Sequence, residues 1–287
     1  MAAPATECDV LIVGGSLVGL SAAAFLGHHG IAAYVVEKHA GTSIHPRAGY
    51  FHLGTMEAYR RIGLEPELLE LSHRQFGPDG GINLVESLAG RELAQFVPSI
   101  NAGVEAYSPC QRFFMTQQSL EPLLRKRAGE LGAKLHYRTE LVGFEQFADH
   151  VLARVRDLDS GEEREIRARY MIAADGNRSP VRAALGIGMT GPGWLSDSIT
   201  IYFKADCRPW LEDRRMGVIY VVNADQPEHL RPDHRAGDEV AQGRAEPEPP
   251  EQQHEAERKP EQDERVAQEM DGGGFFHRVP RTISVKL

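Results

Sequence analysis

The chain has 287 residues, of which 41% are apolar and 25% charged, a composition typical of a globular protein with one or two domains and a buried core. Its net charge of −9 comes from one segment, because residues 224–271 hold 15 Asp or Glu and six Lys or Arg while the rest of the chain holds 26 of each sign. The balanced remainder lacks the clustered positive charge of a nucleic-acid-binding surface, so no nucleic-acid partner is predicted.

The first forty residues have the pattern of a strand–helix–strand unit. Residues 9–13 (DVLIV) form a short apolar run typical of a buried parallel strand, followed by the glycine-rich turn GGSLVG. The small-residue sequence LSAAAFLGHHG predicts a helix that ends at Gly30. The next run, AAYVVEK, predicts a second strand ending at Glu37.

The middle of the chain alternates helices with strand-rich stretches. Helices are predicted over residues 55–72, around Gly63, and along the apolar face of Leu120, Leu124 and Ala128, which Gly132 closes. Strands are predicted, in chain order, for residues 80–96 and for the runs KLHYR, LVGFEQF, VLARVRD, REIRARY, SITIYFKAD and MGVIYVVN. Between REIRARY and SITIYFKAD, the run YMIAAD predicts another buried strand, which ends at Asp175-Gly176.

The composition changes abruptly after Asn223. Residues 224–271 contain no aromatic residue of the Phe, Trp or Tyr type, four large apolar residues and six of the 17 prolines. Such a segment buries too little apolar surface to offset its ordering entropy, which predicts a disordered acidic tail.

The glycine turn is the first candidate site. Gly14 and Gly19 occupy the outer positions of a G-x-G-x-x-G pattern, with Ser16 at the middle position beside Gly15. Such a turn brings a helix N-terminus and its amides to a diphosphate, and an acid about twenty residues later, here Glu37, holds ribose hydroxyls. The alternative is a glycine-rich turn and a surface glutamate in another kind of α/β protein.

Four motifs in order give the sequence a specific resemblance. They are VGGSLVGLSAA, VVEKHAGTSIHPRAGYFHLGTMEAYRRIGL, MTQQSLEPLLRKRA and RARYMIAADGNRSPVRAALGI. Together they resemble the class A FAD-dependent monooxygenases of the p-hydroxybenzoate-hydroxylase type, especially the hydroxylases of aromatic polyketides. The likeness runs from about residue 8 to residue 223.

This resemblance implies an α/β fold with a Rossmann-type FAD-binding domain, an incomplete β-rich substrate domain and the disordered acidic tail. We expect the FAD-binding domain in two parts, residues 1–72 and 105–187. The substrate domain would take residues 73–104 as an insertion and residues 188–223 as an unfinished sheet. Residues 224–287 would form the tail.

The resemblance also assigns cofactor-binding residues. It implies that Gly14, Ser16 and Gly19, with Gly15 beside them, approach the pyrophosphate. Glu37, followed by Lys38, would bind the adenosine ribose. Further along the chain, Arg47 would lie near the flavin or its phosphates, and Gln117 would hydrogen-bond the cofactor from its helix. Asp175, supported by Gly176, would lie beside the pyrophosphate. The sequence assigns no catalytic proton-transfer residue.

The function implied is hydroxylation of a small aromatic, polyketide-like substrate with FAD as cofactor and NAD(P)H and O2 as co-substrates. Two alternatives stay open at this point: a non-catalytic remnant that binds dinucleotide weakly or not at all, and an NAD-linked dehydrogenase or reductase. The chain lacks the Gly-Asp motif with which the family continues after residue 223, and we attribute this to a frameshift or a truncated gene. Reading the coding DNA in the other two frames tests that hypothesis.

Cellular context follows from what the sequence lacks. Cys8, Cys110 and Cys207 are too widely spaced for a disulfide framework or a CxxC metal site, and the histidines show no ligand spacing, so no metal is predicted. The first ten residues have no basic region ahead of an apolar run, and no run reaches the ~20 residues of a membrane span. We therefore predict a cytoplasmic protein without a membrane partner; the oligomeric state is not indicated.

Overall fold

The computed structural model describes residues 6–44, 47, 49–76, 80–193, 199–202, 205–211, 214, 216–222 and 283–286. The chain divides into two compact units. The larger one comprises residues 1–194, 202–222 and 285–287, and the smaller one residues 195–201 and 223–284. Within the described ranges, no helix combines the length and apolarity needed to cross a bilayer.

Thirteen strands occur in the described residues. They are β1 (Thr6–Val13), β2 (Ala33–Glu37), β3 (Tyr50–Phe51), β4 (Gly81–Val85), β5 (Glu92–Val97), β6 (Phe113–Phe114), β7 (Lys134–Tyr137), β8 (Thr139–Gln146), β9 (Val151–Asp157), β10 (Glu163–Ala173), β11 (Ile199–Tyr202), β12 (Met216–Val221) and β13 (Ile283–Lys286).

The same residues contain six α-helices and one short 3-10 helix. The helices are α1 (Leu17–His28), α2 (Leu53–Arg61), α3 (Glu65–Phe76), α4 (Gln117–Glu130), α5 (Pro180–Ala184) and α6 (Arg208–Leu211), with the 3-10 turn at Val104–Ala106.

The main sheet has six strands in the order β7-β2-β1-β10-β9-β8. Strands β7, β2, β1 and β10 run parallel, and β9 and β8 extend the sheet as an antiparallel meander. In parallel sheets of this kind, ligands bind at the carboxyl ends of the strands, where the order of the strands reverses. The connection from β1 through α1 to β2 therefore marks the edge at which a site is expected.

Both faces of the central strands are buried, which explains their continuous apolar sequences. Along β1, Val10 and Ile12 face a core shared with α1, α2, α3 and α4. Leu11 and Val13 face a second core that includes Val155 and other residues of β9 and β10. Strand β2 alternates in the same way between the two cores.

Helices α1 and α4 lie against the same face of this sheet at close range. A Cβ built on Gly27 of α1 would come 2.4 Å from the carbonyl oxygen of Leu131, just after α4. Ala23, Ala24 and Ala128 are fully buried in the same core. The small-residue sequence of α1 is thus required by the close approach of α4.

Smaller sheets accompany the main one. Strands β12, β4 and β5 form a three-stranded sheet, and β3 pairs with β6. The three-stranded sheet combines strands from the ranges 73–104 and 188–223 that were predicted to form a substrate domain, although helix α3 crosses the boundary expected at residue 72. The division into those domains stays a prediction. Residues 199–201 and 283–284 of the smaller unit belong to β11 and β13, which form a separate two-stranded sheet.

Most predicted elements are confirmed, including the helix ends before Gly30 and Gly132, where both glycines have positive φ. The helical stretch predicted over residues 55–72 is divided into α2 and α3, because Gly63 between them has a φ of +78°. The separate buried strand YMIAAD is a wrong prediction. It continues REIRARY in the single long strand β10, and Tyr170 within it is 65% exposed. The physical reason is that β9 pairs with β10 only as far as Ala168, so the end of β10 has a described neighbour, β1, on one side alone.

The predicted disordered tail lies largely outside the described residues. The exception is residues 283–286, which form strand β13.

His136 generates a prediction about the pH dependence of stability. Its ring stacks on Tyr34 with centroids 4.2 Å apart. Burial lowers the pKa of His136 below its usual 6.5, and the nearby charges of Arg164 and Lys134 lower it further. Between the lowered pKa and the usual 6.5, the unfolded chain therefore binds a proton that the folded protein does not, and stability falls as the pH decreases through this range.

His136→Phe keeps a ring over Tyr34 but removes the titrating nitrogens. We expect the free energy of unfolding, measured by urea denaturation, to fall less between pH 7.5 and pH 5.5 in the variant than in the wild type. At pH 8 the histidine is neutral in both the folded and the unfolded protein. The difference in the free energy of unfolding between variant and wild type at that pH therefore gives the effect of the substitution on packing. Equal losses in the two proteins would contradict the prediction.

Candidate functional site

The glycine turn lies at the carboxyl ends of three parallel strands. The Gly14 amide donates to the carbonyl of Val36 in β2 at 2.8 Å, and the Ala174 amide, after β10, donates to the carbonyl of Val13 at 2.8 Å. The turn after β1 is thus fixed between its two neighbours, and α1 begins directly after it.

Backbone packing requires glycine at three positions of this turn. Gly14 has a φ of +106°, and a Cβ there would lie 2.3 Å from the carbonyl oxygen of Ala174. A Cβ on Gly19 would lie 1.8 Å from the carbonyl oxygen of Gly14, and one on Gly15 would lie 2.9 Å from Cβ of Glu37. The glycines are spaced as they are because the turn closely contacts α1 and the ends of β2 and β10 at these three positions.

Glu37 lies at the turn, as expected. Its side chain is 11% exposed, and its carboxylate accepts hydrogen bonds from the Gly15 amide at 2.6 Å and the His39 amide at 2.8 Å. The acid at the end of β2 is therefore held beside the beginning of α1. Lys38, next to it, is exposed.

Ser16 is the N-cap residue of α1, but its side chain does not cap the helix. Its hydroxyl donates a short hydrogen bond to the carboxylate of Glu121 and accepts one from Nε2 of Gln117 at 3.0 Å. The hydroxyl is thus directed toward α4. The first-turn amides of α1 receive no hydrogen bond from the side chain that usually satisfies them.

Glu121 is a site residue that the sequence analysis missed. It is fully buried, and its carboxylate also accepts hydrogen bonds from Nε2 of Gln117 at 2.7 Å and from the Ser43 amide at 2.5 Å. The available signal was its position, because Gln117, Glu121, Leu124 and Ala128 recur every three or four residues and so share one face of α4. A carboxylate within an apolar stripe indicates a buried polar contact.

Asp175 and Gly176 follow β10 next to the glycine turn. A Cβ on Gly14 would be 3.1 Å from the Asp175 amide nitrogen, and Gly176 has a φ of +90°. The Asp175 carboxylate accepts a hydrogen bond from the Val181 amide at 3.1 Å, which holds the start of α5. The structure therefore brings this motif to the turn, and one of its carboxylate oxygens already has a protein partner.

Arg47 is exposed, and residues 45, 46 and 48 around it lie outside the described residues. Its contact with a flavin or a phosphate stays a prediction. The same holds for the cofactor contacts of the other nine residues assigned from the resemblance, although the structure gathers Gly14, Gly15, Ser16, Gly19, Glu37, Gln117, Asp175 and Gly176 at the carboxyl edge of the sheet.

Tyr137 adds a hydroxyl that is buried beside this site. It is the neighbour of Glu37 in the pairing of β7 with β2, and the Arg125 guanidinium of α4 lies 4.2 Å from its ring centroid. Burial raises the pKa of Tyr137; Arg125 opposes this shift, and the carboxylates of Glu37 and Glu121 add to it. In the described part of the chain, this hydroxyl has no hydrogen-bond partner.

The arrangement has the chemistry of a site for an anionic diphosphate attached to a sugar. Three glycines let the backbone approach closely, the N-terminus of the twelve-residue helix α1 supplies amides and the positive end of its dipole, and Glu37 supplies an acceptor for hydroxyl groups. Tyr137, which pairs with Glu37 across β7 and β2, adds a buried hydroxyl that has no partner among the described residues.

Comparison with known proteins gives concordant matches. The profile of the family described as "FAD binding domain" matches residues 7–281. The chain is 55% identical over 220 residues to 4-methyl-5-nitrocatechol 5-monooxygenase of a Burkholderia species, covering 77% of this chain and 40% of that protein. It is 38% identical over 245 residues to tetracenomycin A2 monooxygenase-dioxygenase of Streptomyces glaucescens, covering 77% of this chain and 42% of that protein.

Solved structures agree with these matches. The crystal structure of aklavinone-11 hydroxylase in a ternary complex with FAD and aklavinone has a TM-score of 0.61 to this chain at 38% identity, covering 68% of this chain and 37% of the other. The present chain thus spans about two fifths of the length of the curated relatives it matches, given coverages of 40% and 42%.

The contact between Gly19 and Gly14 generates a prediction about stability. Gly19→Ala places a methyl group against a backbone oxygen that cannot move without shifting the turn, and we expect it to lower the free energy of unfolding by about 2 kcal/mol. Gly129→Ala is the matched control, because Gly129 lies in α4 with open space around it, and alanine there should add up to about 1 kcal/mol of stability. Thermal or urea denaturation of both variants tests the prediction; a neutral Gly19→Ala would refute the close contact.

The unpartnered hydroxyl of Tyr137 generates a second prediction. Tyr137→Phe removes a buried polar group that has no described partner and keeps the ring under Arg125, so we expect the cofactor-free protein to gain up to about 1 kcal/mol. Tyr59→Phe is the control, because the buried Tyr59 hydroxyl shares a hydrogen bond of 2.9 Å with Ser21, and its loss should cost about 1 kcal/mol. Equal destabilisation of the two variants in urea denaturation would mean that Tyr137 has a partner after all.

Proposed function

This chain belongs to the FAD binding domain family of flavoprotein monooxygenases, and from that membership we propose that it forms the dinucleotide-binding part of an FAD-dependent aromatic hydroxylase. The whole enzyme would use NAD(P)H and O2 to hydroxylate a small aromatic substrate. Because the chain spans 40% of the length of the 4-methyl-5-nitrocatechol 5-monooxygenase that it matches, the complete activity is proposed for the longer enzyme to which this part corresponds.

One observation carries the proposal. The hydrogen bond from the Gly15 amide to the Glu37 carboxylate joins the start of α1 to the end of β2. It sets an acceptor for ribose hydroxyls beside the amides that would receive a diphosphate. A carboxylate at this place favours an adenosine ribose without a 2′-phosphate, as in FAD.

The residues present fit such a cofactor. Gly14 and Gly19 would let the backbone approach the diphosphate, the α1 amides would donate to it, and Glu37 would hold the ribose, with the Tyr137 hydroxyl as a further donor. Gln117 and Asp175 would contact the cofactor from α4 and from the turn after β10. Bound FAD supplies the redox and oxygen chemistry, whereas the protein binds it, orients it and excludes water. No residue of the described chain is assigned a proton-transfer role.

The substrate class is proposed from the relatives. One is named for 4-methyl-5-nitrocatechol and another for tetracenomycin A2. Single-ring nitrocatechols are the first substrates to test because the former relative is 55% identical, and polycyclic aromatic polyketides are the second. We also propose a cytoplasmic location, given the three free cysteines.

Two other functions make different predictions. A non-catalytic remnant would bind neither FAD nor NADH. An NAD-linked dehydrogenase would bind NADH in preference to FAD, but the motifs at Arg47, Gln117 and Asp175 favour the flavoprotein, since the first strand–helix–strand unit alone does not distinguish the two cofactors.

The test is cofactor binding by the purified chain. We expect added FAD to give a protein-bound flavin spectrum and quenched flavin fluorescence, and Glu37→Gln to weaken binding about tenfold, because a good hydrogen bond to a charged group contributes ~1.5 kcal/mol or more. Glu145→Gln, a change at an exposed carboxylate of β8, is the control and should bind as the wild type does.

Preferential binding of NADH would favour the dehydrogenase, and failure to bind either cofactor would leave only the remnant. In the longer enzyme, NADPH oxidation stimulated by a nitrocatechol is the corresponding test of activity. Oxidation that no aromatic compound stimulates would contradict hydroxylation.

A further inference from the structure

Ser16 has the backbone of a helix N-cap but does not behave as one. Its φ of −93° and ψ of −165° are the extended values typical of that position. A serine there normally accepts a hydrogen bond from the amide two or three residues on, here Val18 or Gly19. No such bond forms, and the first-turn amides of α1 stay without it.

The Ser16 hydroxyl instead forms hydrogen bonds with two side chains of α4. Its proton goes to the Glu121 carboxylate, and one of its lone pairs accepts from Gln117. Gln117 in turn donates to Glu121, so the three side chains form a closed set of hydrogen bonds. The Ser16 hydroxyl therefore bonds to two side chains of α4 and does not cap its own helix.

Glu121 is costly to bury, and the site compensates for that cost. A fully buried carboxylate is destabilising unless donors surround it. Here the donors are the Ser16 hydroxyl, the Gln117 amide and the Ser43 backbone amide, and the positive end of the α1 dipole is close by. An apolar residue would fill the same space without the free-energy cost of desolvation. Packing alone therefore does not explain a carboxylate at this position.

We infer that Glu121 is a positioning residue for the diphosphate: by holding the Ser16 hydroxyl on α4, it prevents Ser16 from capping α1 and leaves the first-turn amides to the ligand. This inference rests on the proposed function. It also explains why a serine is tolerated where the dinucleotide pattern has its middle glycine, since the side chain is drawn aside instead of occupying the approach to the turn.

The Ser43 hydrogen bond extends this role to the loop after β2. Ser43 lies four residues before Arg47, and its amide donates to the other oxygen of the same carboxylate. Glu121 therefore contacts both the start of α1 and the loop at Ser43. A single buried charge connects two parts of the chain that the diphosphate would face.

A double-mutant cycle tests the inference. Glu121→Met removes the acceptor and keeps the volume, Ser16→Gly removes the side chain that would cap α1, and the third protein combines both changes. We expect Glu121→Met to weaken FAD binding about fivefold to tenfold. An N-cap hydrogen bond contributes ~1 kcal/mol, which corresponds to a change of about this size in the dissociation constant. In the Ser16→Gly background, Glu121→Met should weaken FAD binding by less than about twofold, because no side chain remains there to cap α1.

A purely structural role of Glu121 gives a different pattern. The loss of its hydrogen bonds would then lower stability and FAD affinity equally with or without Ser16. An equal loss of affinity from Glu121→Met in the wild-type background and in the Ser16→Gly background would overturn the inference. Urea denaturation of all four proteins shows whether affinity and stability change together.

Amide exchange supplies a readout that needs no ligand. In Glu121→Met the freed hydroxyl should cap α1, so the Val18 or Gly19 amide should exchange about fivefold to tenfold more slowly than in the wild type. The combined variant should lose this protection. Unchanged exchange in Glu121→Met would overturn the inference even where FAD binding is weakened. If the wild type binds no FAD, the proposed function fails, and the exchange rates alone decide whether Glu121 keeps Ser16 from capping the helix.

Discussion

The carbonyl oxygen of Gly14 occupies the space that a side chain on residue 19 would need, at 1.8 Å from the position of its Cβ. This contact sets how closely α1 approaches the end of β1. The positive φ of Gly14 and its contact with Ala174 fix the turn against β10 in the same way. The rest of the site follows from this packing, because Glu37 and Asp175 reach the turn only if the backbones of three strand ends lie this close together.

Two largely buried carboxylates also hold the glycine turn in place. Glu37 joins the turn to β2 through the Gly15 amide, and Glu121 joins it to α4 through Ser16. Each carboxylate accepts from protein donors on both of its oxygens. Both anionic groups are thus directed by hydrogen bonds before any ligand arrives, and a preorganised site loses less free energy on binding than one that must rearrange.

The parts of the sheets away from the turn are less enclosed. Tyr170 near the end of β10 is exposed, and in the three-stranded sheet Phe96 and Tyr220 are exposed and contact each other edge to face. Exposed aromatic groups on strands are typical of surfaces that another part of a protein covers. The relatives are more than twice as long as the portion matched here, since the chain covers 40% and 42% of two of them.

The sequence by itself determined the first strand–helix–strand unit, the glycine turn and the acid at position 37, because these depend on local periodicity and on glycines that short-range geometry requires. It also indicated the helix that begins at Gln117. Only the tertiary structure decided that β10 is one long strand with an exposed end, since this depends on where β9 stops pairing. It alone revealed the roles of Glu121 and Tyr137, whose partners are distant in the chain: Ser16 is 105 residues from Glu121, and Glu37 meets Tyr137 only through the parallel pairing of β2 with β7. Hydrogen bonds between residues so distant in the chain produce no local sequence pattern. Only the packed structure therefore shows that these side chains interact.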